Sequence, residues 1–335
     1  ILTGRPLADG EATMSRIAII VTGGLVLKVG LIFAYYTFTG FGPVIPIAWL
    51  LIVAAAFWSS RLTSVPFLQT TGRYGMVARV VVLLVFVLPV AAEIAATEPV
   101  AGPADGTELT VMVYNIQSGF ALDRTWDLRE TAAVIRAENP DIVVLNEVSR
   151  GWLVTAANDQ LVWLSRELDM PYVWGPASDD GLWGNAILSK IEIEDSAVRR
   201  FASTQNLKRS AVGVSVSING QELWVLGTHL DNPSGAGEAR MEQVAELIDF
   251  WDGRQPAIIM GDFNADPDDD VLLALAEVDF ADPGLDMDPE VVTSEDGRRI
   301  DYIITSPGVD VLDIFVPEVD ASDHKPVVAR IRVGN

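Results

Sequence analysis

The sequence predicts an α/β sandwich preceded by a membrane-spanning α-helical region. Three observations carry this reading. Charge is unevenly divided: residues 1–104 hold six Lys/Arg and four Asp/Glu, a net +2, whereas residues 105–335 hold 17 and 42, a net −25, which together give the −23 of the whole chain. Three apolar runs fill most of residues 17–96. From residue 108 onward, short β-branched runs alternate with amphipathic helical stretches. Cysteine is absent, which excludes disulfides and thiolate-bound zinc.

The first run, about residues 17–38, reads IAIIVTGGLVLKVGLIFAYYTF. The second, about 43–58, is shorter, and the third covers about 76–96. Each is read as a transmembrane helix. A signal peptide followed by a buried hydrophobic domain is the alternative, but three such runs exceed what a soluble core needs. Arg5 and Arg16 precede the first span, Arg61 and Arg73 lie between the second and third, and only acids follow the third. The bias of Lys and Arg toward the cytoplasmic side then places the N-terminus inside and everything after residue 97 outside. The expected organisation is a multi-pass anchor in the cytoplasmic membrane over 1–97, a Pro/Gly-rich tether over 98–107, and a globular domain over 108–335 on the periplasmic or extracellular side. Lys28 and Glu93 fall within spans and are read as a helix-packing ion pair, or Lys28 as a snorkelling side chain, rather than as an intramembrane site. Met14, directly before SRIAII, is a candidate start.

In the globular part, apolar strands run into polar side chains. LTVMVYN ends at Asn115, DIVVLNE at Glu147 and ELWVLGTHL near His229. WGNAILS contains Asn185 and RRIDYIIT contains Asp301. AIIMGDFN carries Asp262 and Asn264, and Asp323 and His324 precede the last strand. Helices are expected over 127–138 and 237–251. A lone Asp or Asn at a strand end is an ordinary turn residue; seven such ends point to one shared edge. The chain has two histidines, and each has an aspartate as a close neighbour, in THLD and SDHKP. Imidazole is the usual acid/base group near neutral pH. Asp262 and Asn264 are two apart and would face the same side of an extended strand. Asp266, Asp268 and Asp269 are read as a solvated turn and the cap of the helix that follows.

The ordered set YNIQ, LNEV, GNAILS, THLD, GDFN, IDYI and SDHKPV resembles the endonuclease/exonuclease/phosphatase superfamily of metal-dependent phosphoesterases, over about residues 108–333. The resemblance implies a four-layer fold, two packed β-sheets flanked by helices on both outer faces. It also implies roles. Asn115 and Glu147 would be metal-binding, with Asp323 a further metal contact. Asp262 and Asn264 would orient the attacking water and the phosphate. His324 would touch the scissile phosphate and Asp301 would orient it. His229 would be the second active-site histidine, and Asn185 would line the phosphate pocket.

Hard oxygen ligands without cysteine suit Mg²⁺ or Mn²⁺, with Ca²⁺ a third candidate. The expected activity is hydrolysis of a phosphodiester or phosphomonoester by an activated water. Lipid headgroups and small phosphoesters are slightly favoured, because an anchored domain of charge −25 repels a polyanion. Arg199, Arg200, Lys208 and Arg209 lie close in sequence and form a candidate basic patch near the pocket. Extracellular nucleic acid is the rival substrate, and an inactive binding module is the third reading. The bilayer is an expected partner; no protein partner can be inferred.

Overall fold

Strand β1 (Glu108–Asn115) sends Val111 and Val113 to one core and Met112 and Tyr114 to another. This period-two alternation, with both faces apolar, is the mark of a strand covered on both sides. The computed structural model describes residues 96–334 apart from 153, 154, 156, 206, 233 and 234. The three predicted spans lie outside the described residues except for residue 96. Among the described residues no helix is long and apolar enough to cross a membrane.

The chain continues through α1 (Leu128–Glu138), β2 (Ile142–Ser149), α2 (Gln160–Leu168), β3 (Tyr172–Pro176) and β4 (Trp183–Ser189). Then come β5 (Ile193–Arg200), β6 (Ser210–Ile218), β7 (Gln221–His229), α3 (Gly237–Trp251) and β8 (Ala257–Asp262). The last elements are α4 (Asp270–Ala276), β9 (Asp301–Thr305), β10 (Val309–Phe315) and β11 (Val327–Val333). One sheet has the order β10-β11-β1-β2-β4-β3 and the other β5-β6-β7-β8-β9. Each is mixed: β1–β2 and β7–β8 are parallel, joined by the crossover helices α1 and α3, and the remaining pairs are antiparallel.

Three apolar layers hold the fold together. The inner one, between the sheets, contains Val111, Val113, Val144, Ile187, Val212, Val225 and Met260. The outer face of the six-stranded sheet packs Met112, Tyr114 and Leu145 on Leu128 and Ile135 of α1 and Leu161 and Leu164 of α2. The outer face of the five-stranded sheet packs Trp224, Leu226 and Ile259 on Val244 and Leu247 of α3 and on Val271 and Leu275 of α4. The expected four layers are therefore present. Sheet contact is close at Gly227, where a Cβ would sit 2.9 Å from Val144 Cγ1.

Local signals account for the helix ends. Asp127 caps α1 by accepting from Arg129 N, and Asp269 caps α4 by accepting from Val271 N. Helices α1, α2 and α3 end at Asn139, Asp169 and Asp252 in the left-handed conformation. The predicted tether runs along the domain. Gly102 bridges Ile191, and Glu98 reaches Arg166 at 2.7 Å.

Candidate active site

The inner-face parity of the strands places the polar residues. On β7, Leu223 and Val225 point into the inter-sheet layer, and His229 continues that series. On β8, Ile258 and Met260 do so, and Asp262 follows; on β9, Ile303 shares the face with Asp301. Asn115 on β1 and Asn185 on β4 obey the same rule relative to Val113 and Ile187. The site is thus the polar end of the inner core. Register aligns it further: His229 pairs with Asp262 across the parallel ladder, and Asp262 with Asp301 across the antiparallel one. Gly261 lets these strands meet, since a Cβ there would lie 2.0 Å from Thr228 O.

Glu147 breaks the alternation. Leu145 and Val148 both belong to the outer layer, and the β2–β4 register shifts between them. Glu147 itself is left-handed, with φ 58°. This is a β-bulge; regular pairing would have sent the carboxylate toward α1 and α2. Instead it lies among the site charges, where burial raises its pKa while Arg209 and His324 oppose the rise. A non-glycine residue in this conformation costs of order 1–2 kcal/mol. Gln117, Ser118 and Asn264 are left-handed as well, with φ 43°, 52° and 50°.

Hydrogen bonds join the two sheets. Asn115 Nδ2 donates to Asp262 Oδ2 at 3.0 Å, and Asn115 Oδ1 accepts from Gln117 N at 3.1 Å. Asn146 Oδ1 accepts from Asp262 N at 3.0 Å, and its Nδ2 lies 2.8 Å from both Asn185 Oδ1 and Thr228 O. Asn185 Nδ2 donates to Ser210 O at 2.9 Å, so both ends of the Asn185 amide are held by protein. Ser322 Oγ donates to Asn115 O at 2.8 Å and fixes the loop carrying Asp323 and His324 on the end of β1. Gln117 Nε2 donates to Asp323 Oδ2.

His324 Nδ1 lies 2.8 Å from Asp301 Oδ2, and its Nε2 lies 3.7 Å from Asp262 Oδ2. Burial works against charging this ring, but Asp301, Asp262 and Asp323 prevail and hold its pKa well above the ordinary histidine value. His229 is the reverse case. Burial, with Arg209 and His324 nearby, holds its pKa well below that value. Burial and the repulsion of Asp301 push Asp262 up to about 6, against the pull of His324, Asn115 and the Asn264 amide. Burial also raises Asp323.

The predicted residues therefore converge, with adjustments. Strand β8 ends at Asp262, so Asn264 is not on an extended strand; its left-handed backbone brings Nδ2 to 3.1 Å from His229 Nε2 and to 3.1 Å from Leu230 O. Of the four residues of the candidate basic patch, three are engaged by the protein. Arg209 is buried, Arg199 pairs with Asp249 at 3.0 Å, and Arg200 donates to Pro176 O. The acidic turn after Asn264 is only partly solvated: Arg298 donates to both oxygens of Asp266 at 3.0 and 3.1 Å, and Arg240 lies 3.6 Å from Asp269. Asn146 and Arg209 were not singled out as site residues. The first stood within LNEV, beside the more conspicuous glutamate. Arg209 carried no signal separating it from its basic neighbours.

The residues fit a divalent cation. Asp262 and Asp301 are buried, and Glu147, half-buried, feels the charges of Asp262 and Asp323. Asp301 Oδ1 is buried without a hydrogen-bond partner among the described residues. Asp262, Asp301 and His324 each offer one ligand atom within 4.8 Å of the others. Carboxylates held together against their repulsion need a countercharge, and oxygen donors match hard cations. A cleft of about 810 Å³ opens over Asn264, Asp323 and His324 and is also lined by Arg240 and Arg298.

A model of the endonuclease/exonuclease/phosphatase family matches residues 112–324. The protein YbhP of Escherichia coli K12 is 26% identical over 170 residues, which are 46% of this chain and 66% of YbhP. The match spans just under two thirds of that relative's length. An endonuclease/exonuclease/phosphatase structure from Beutenbergia cavernae DSM 12333 aligns with TM-score 0.60 and 28% identity, covering 68% of this chain and 72% of that one. The human Nocturnin catalytic domain, solved with a bound sulfate anion, has the same fold, with TM-score 0.56 and 23% identity over 70% and 94% of the two chains. With the two mixed sheets, the flanking helices and the matched segment in agreement, the chain belongs to the endonuclease/exonuclease/phosphatase family.

Proposed function

We propose that the chain is a metal-dependent phosphoesterase that hydrolyses a phosphodiester or phosphomonoester by attack of an activated water. The supporting observation is the convergence of the buried Asp262 and Asp301 on one oriented imidazole, His324, which with Asp323 lines an open cleft, while Glu147 lies within electrostatic reach of Asp262, Asp323 and His324. Glu147 and Asp323 would hold the Mg²⁺ or Mn²⁺, with Asn115 adding an amide oxygen that retains a lone pair beyond its bond to Gln117. When bound, such an ion neutralises charge on the phosphoryl oxygens. Asp301 fixes the His324 ring so that Nε2 faces the cleft and its proton meets a phosphoryl oxygen. Asp262, with a pKa of about 6, is poised to take a proton from water near neutral pH. Asn264 lines the phosphate end of the pocket in this reading, and Asn185, its amide held by Asn146 and Ser210, braces the site from within.

The substrate class we favour is a lipid-linked or small phosphoester, met on the outer side of the cytoplasmic membrane. Two observations support it. Residues 105–335 carry −25. The arginines at the cleft, Arg240 and Arg298, are already engaged by Asp269 and Asp266, which leaves little free basic surface for a polyanion. The test is a hydrolysis assay of the full chain on phospholipids, small phosphodiesters and plasmid DNA, with Mg²⁺, Mn²⁺ or EDTA. Metal-dependent hydrolysis of a headgroup, weakly sensitive to salt at constant metal occupancy, is expected. Turnover in excess EDTA would sink the metal assignment. Efficient cleavage of plasmid DNA alone, declining steeply with salt, would move the substrate to nucleic acid. A reporter fused after residue 335 tests the location; activity of the reporter only in the cytoplasm refutes it.

A further inference from the structure

Arg209 stands immediately before β6 and is 4% exposed. Its Nη1 lies 3.1 Å from His229 Nδ1, its Nε lies 3.7 Å from Asp231 Oδ1, and its guanidinium covers the Trp183 ring at 5.4 Å. Trp183 in turn lies against the His229 ring, with centroids 5.9 Å apart. The arginine is clamped between an aromatic face and a buried carboxylate, and what it presents to the imidazole is an N–H.

His229 has a nitrogen-bound donor group at each ring nitrogen: Arg209 Nη1 at Nδ1 and Asn264 Nδ2 at Nε2, both at 3.1 Å. A neutral imidazole accepts at one nitrogen only, so one contact must give way. The guanidinium is always charged and has no acceptor, whereas the Asn264 amide already donates to Leu230 O at 3.1 Å. A charge-assisted bond is about twice as strong as a neutral one. The arginine contact therefore prevails, and the ring hydrogen goes to Nε2, where Asp262 Oδ2 lies 3.4 Å away.

We infer that Arg209 is a positioning residue that locks His229 in the tautomer with a bare Nδ1 and an Nε2–H aimed at Asp262. In the proposed hydrolase, His229 then acts as a fixed hydrogen-bond donor beside the Asp262 carboxylate, not as a base. This role rests on the proposed function, but the tautomer itself does not require it.

The tautomer is open to direct measurement, because the chain has only two histidines. Ring-¹⁵N-histidine labelling of the full chain gives four ring nitrogens, and a His324→Gln variant assigns them. The expected spectrum shows His229 Nδ1 as a bare, accepting nitrogen and Nε2 as a protonated one. Arg209→Met should shift Nδ1 toward an averaged or protonated position, while Arg209→Lys, which still donates, should restore the parent pattern. A protonated Nδ1 in the unaltered chain, or averaging between tautomers, overturns the inference, even if Arg209→Met does not fold. An unchanged pattern in a folded Arg209→Met overturns the role of the arginine. The spectrum needs no substrate, so absence of hydrolysis would refute the proposed function and leave this result standing.

Discussion

Asn115, on one sheet, donates to Asp262, on the other, across 3.0 Å of buried space. This bond holds the two halves of the site in contact, and it helps keep Asp262 ionised against burial and the neighbouring Asp301.

Replacing Asn115 with Ala should therefore have two effects. A buried acceptor left unpaired costs about 1–3 kcal/mol, to be read as a lower denaturant midpoint. The Asp262 pKa should climb further, so the acid limb of the pH–activity profile should move to higher pH. An acid limb that stays in place would show that Asp262 does not set it.

Glu147→Gly should separate stability from activity. Glycine accepts φ 58° without the strain a side chain feels there, and the substitution removes a carboxylate that loss of solvent holds above its ordinary pKa. In EDTA the variant should unfold at higher denaturant than the parent. It should also lose most hydrolysis and most of the thermal stabilisation that Mg²⁺ confers, about 2.7 kcal/mol at a hundredfold excess over Kd. Equal Mg²⁺ stabilisation in both proteins would remove Glu147 from the metal site.

Asp301 and His324 should behave as one unit. Asp301→Asn should resemble a weakened His324→Ala, because the amide cannot stabilise the charged ring as the carboxylate does. The double variant should be no worse than His324→Ala alone. A multiplicative loss in kcat/KM would mean that the two act separately.

Asp262→Asn should stabilise the metal-free protein in a pH-dependent way. The folded pKa of about 6 exceeds the ordinary 3.8. The folded state therefore binds more protons between these values, and the contribution of Asp262, fully present below about 3.8, is lost as pH rises through 6. The variant lacks this loss. Its stability relative to the parent should be flat below pH 4, improve between about 4 and 6, and plateau above. A difference independent of pH would place the Asp262 pKa near that of a solvated carboxylate.

Much of the site was legible because strand parity is local. Period-two alternation and a polar residue at each apolar strand's end found Asn115, His229, Asp262 and Asp301, and the structure puts all four at one end of the inner layer. What escaped depends on partners far along the chain. The bulge that turns Glu147 inward is defined by its register against β4. The Asn146 clasp reaches Thr228 and Asp262 on the other sheet. Arg209 resembled its exposed basic neighbours until Trp183, His229 and Asp231 closed around it. Asn264 was expected to share a face with Asp262 on an extended backbone, which its left-handed conformation beyond the end of β8 does not supply.

The side-by-side placement of His229, Asp262 and Asp301 on three adjacent strands has an evolutionary consequence. Their separation is set by main-chain hydrogen bonding, which spaces neighbouring strands by about 4.7–4.9 Å whatever the side chains are. Substitution along this row can exchange one reactive group for another while the scaffold stays where it is, so new chemistries are within single-codon reach. Insertions have no such freedom. One extra residue within β8 would rotate Asp262 out of the cleft and into the greasy layer beneath α3, and every side chain between the insertion and the strand's end would change faces with it. Lineages that diversify this scaffold should therefore vary in residue identity along the row and keep the lengths of its strands.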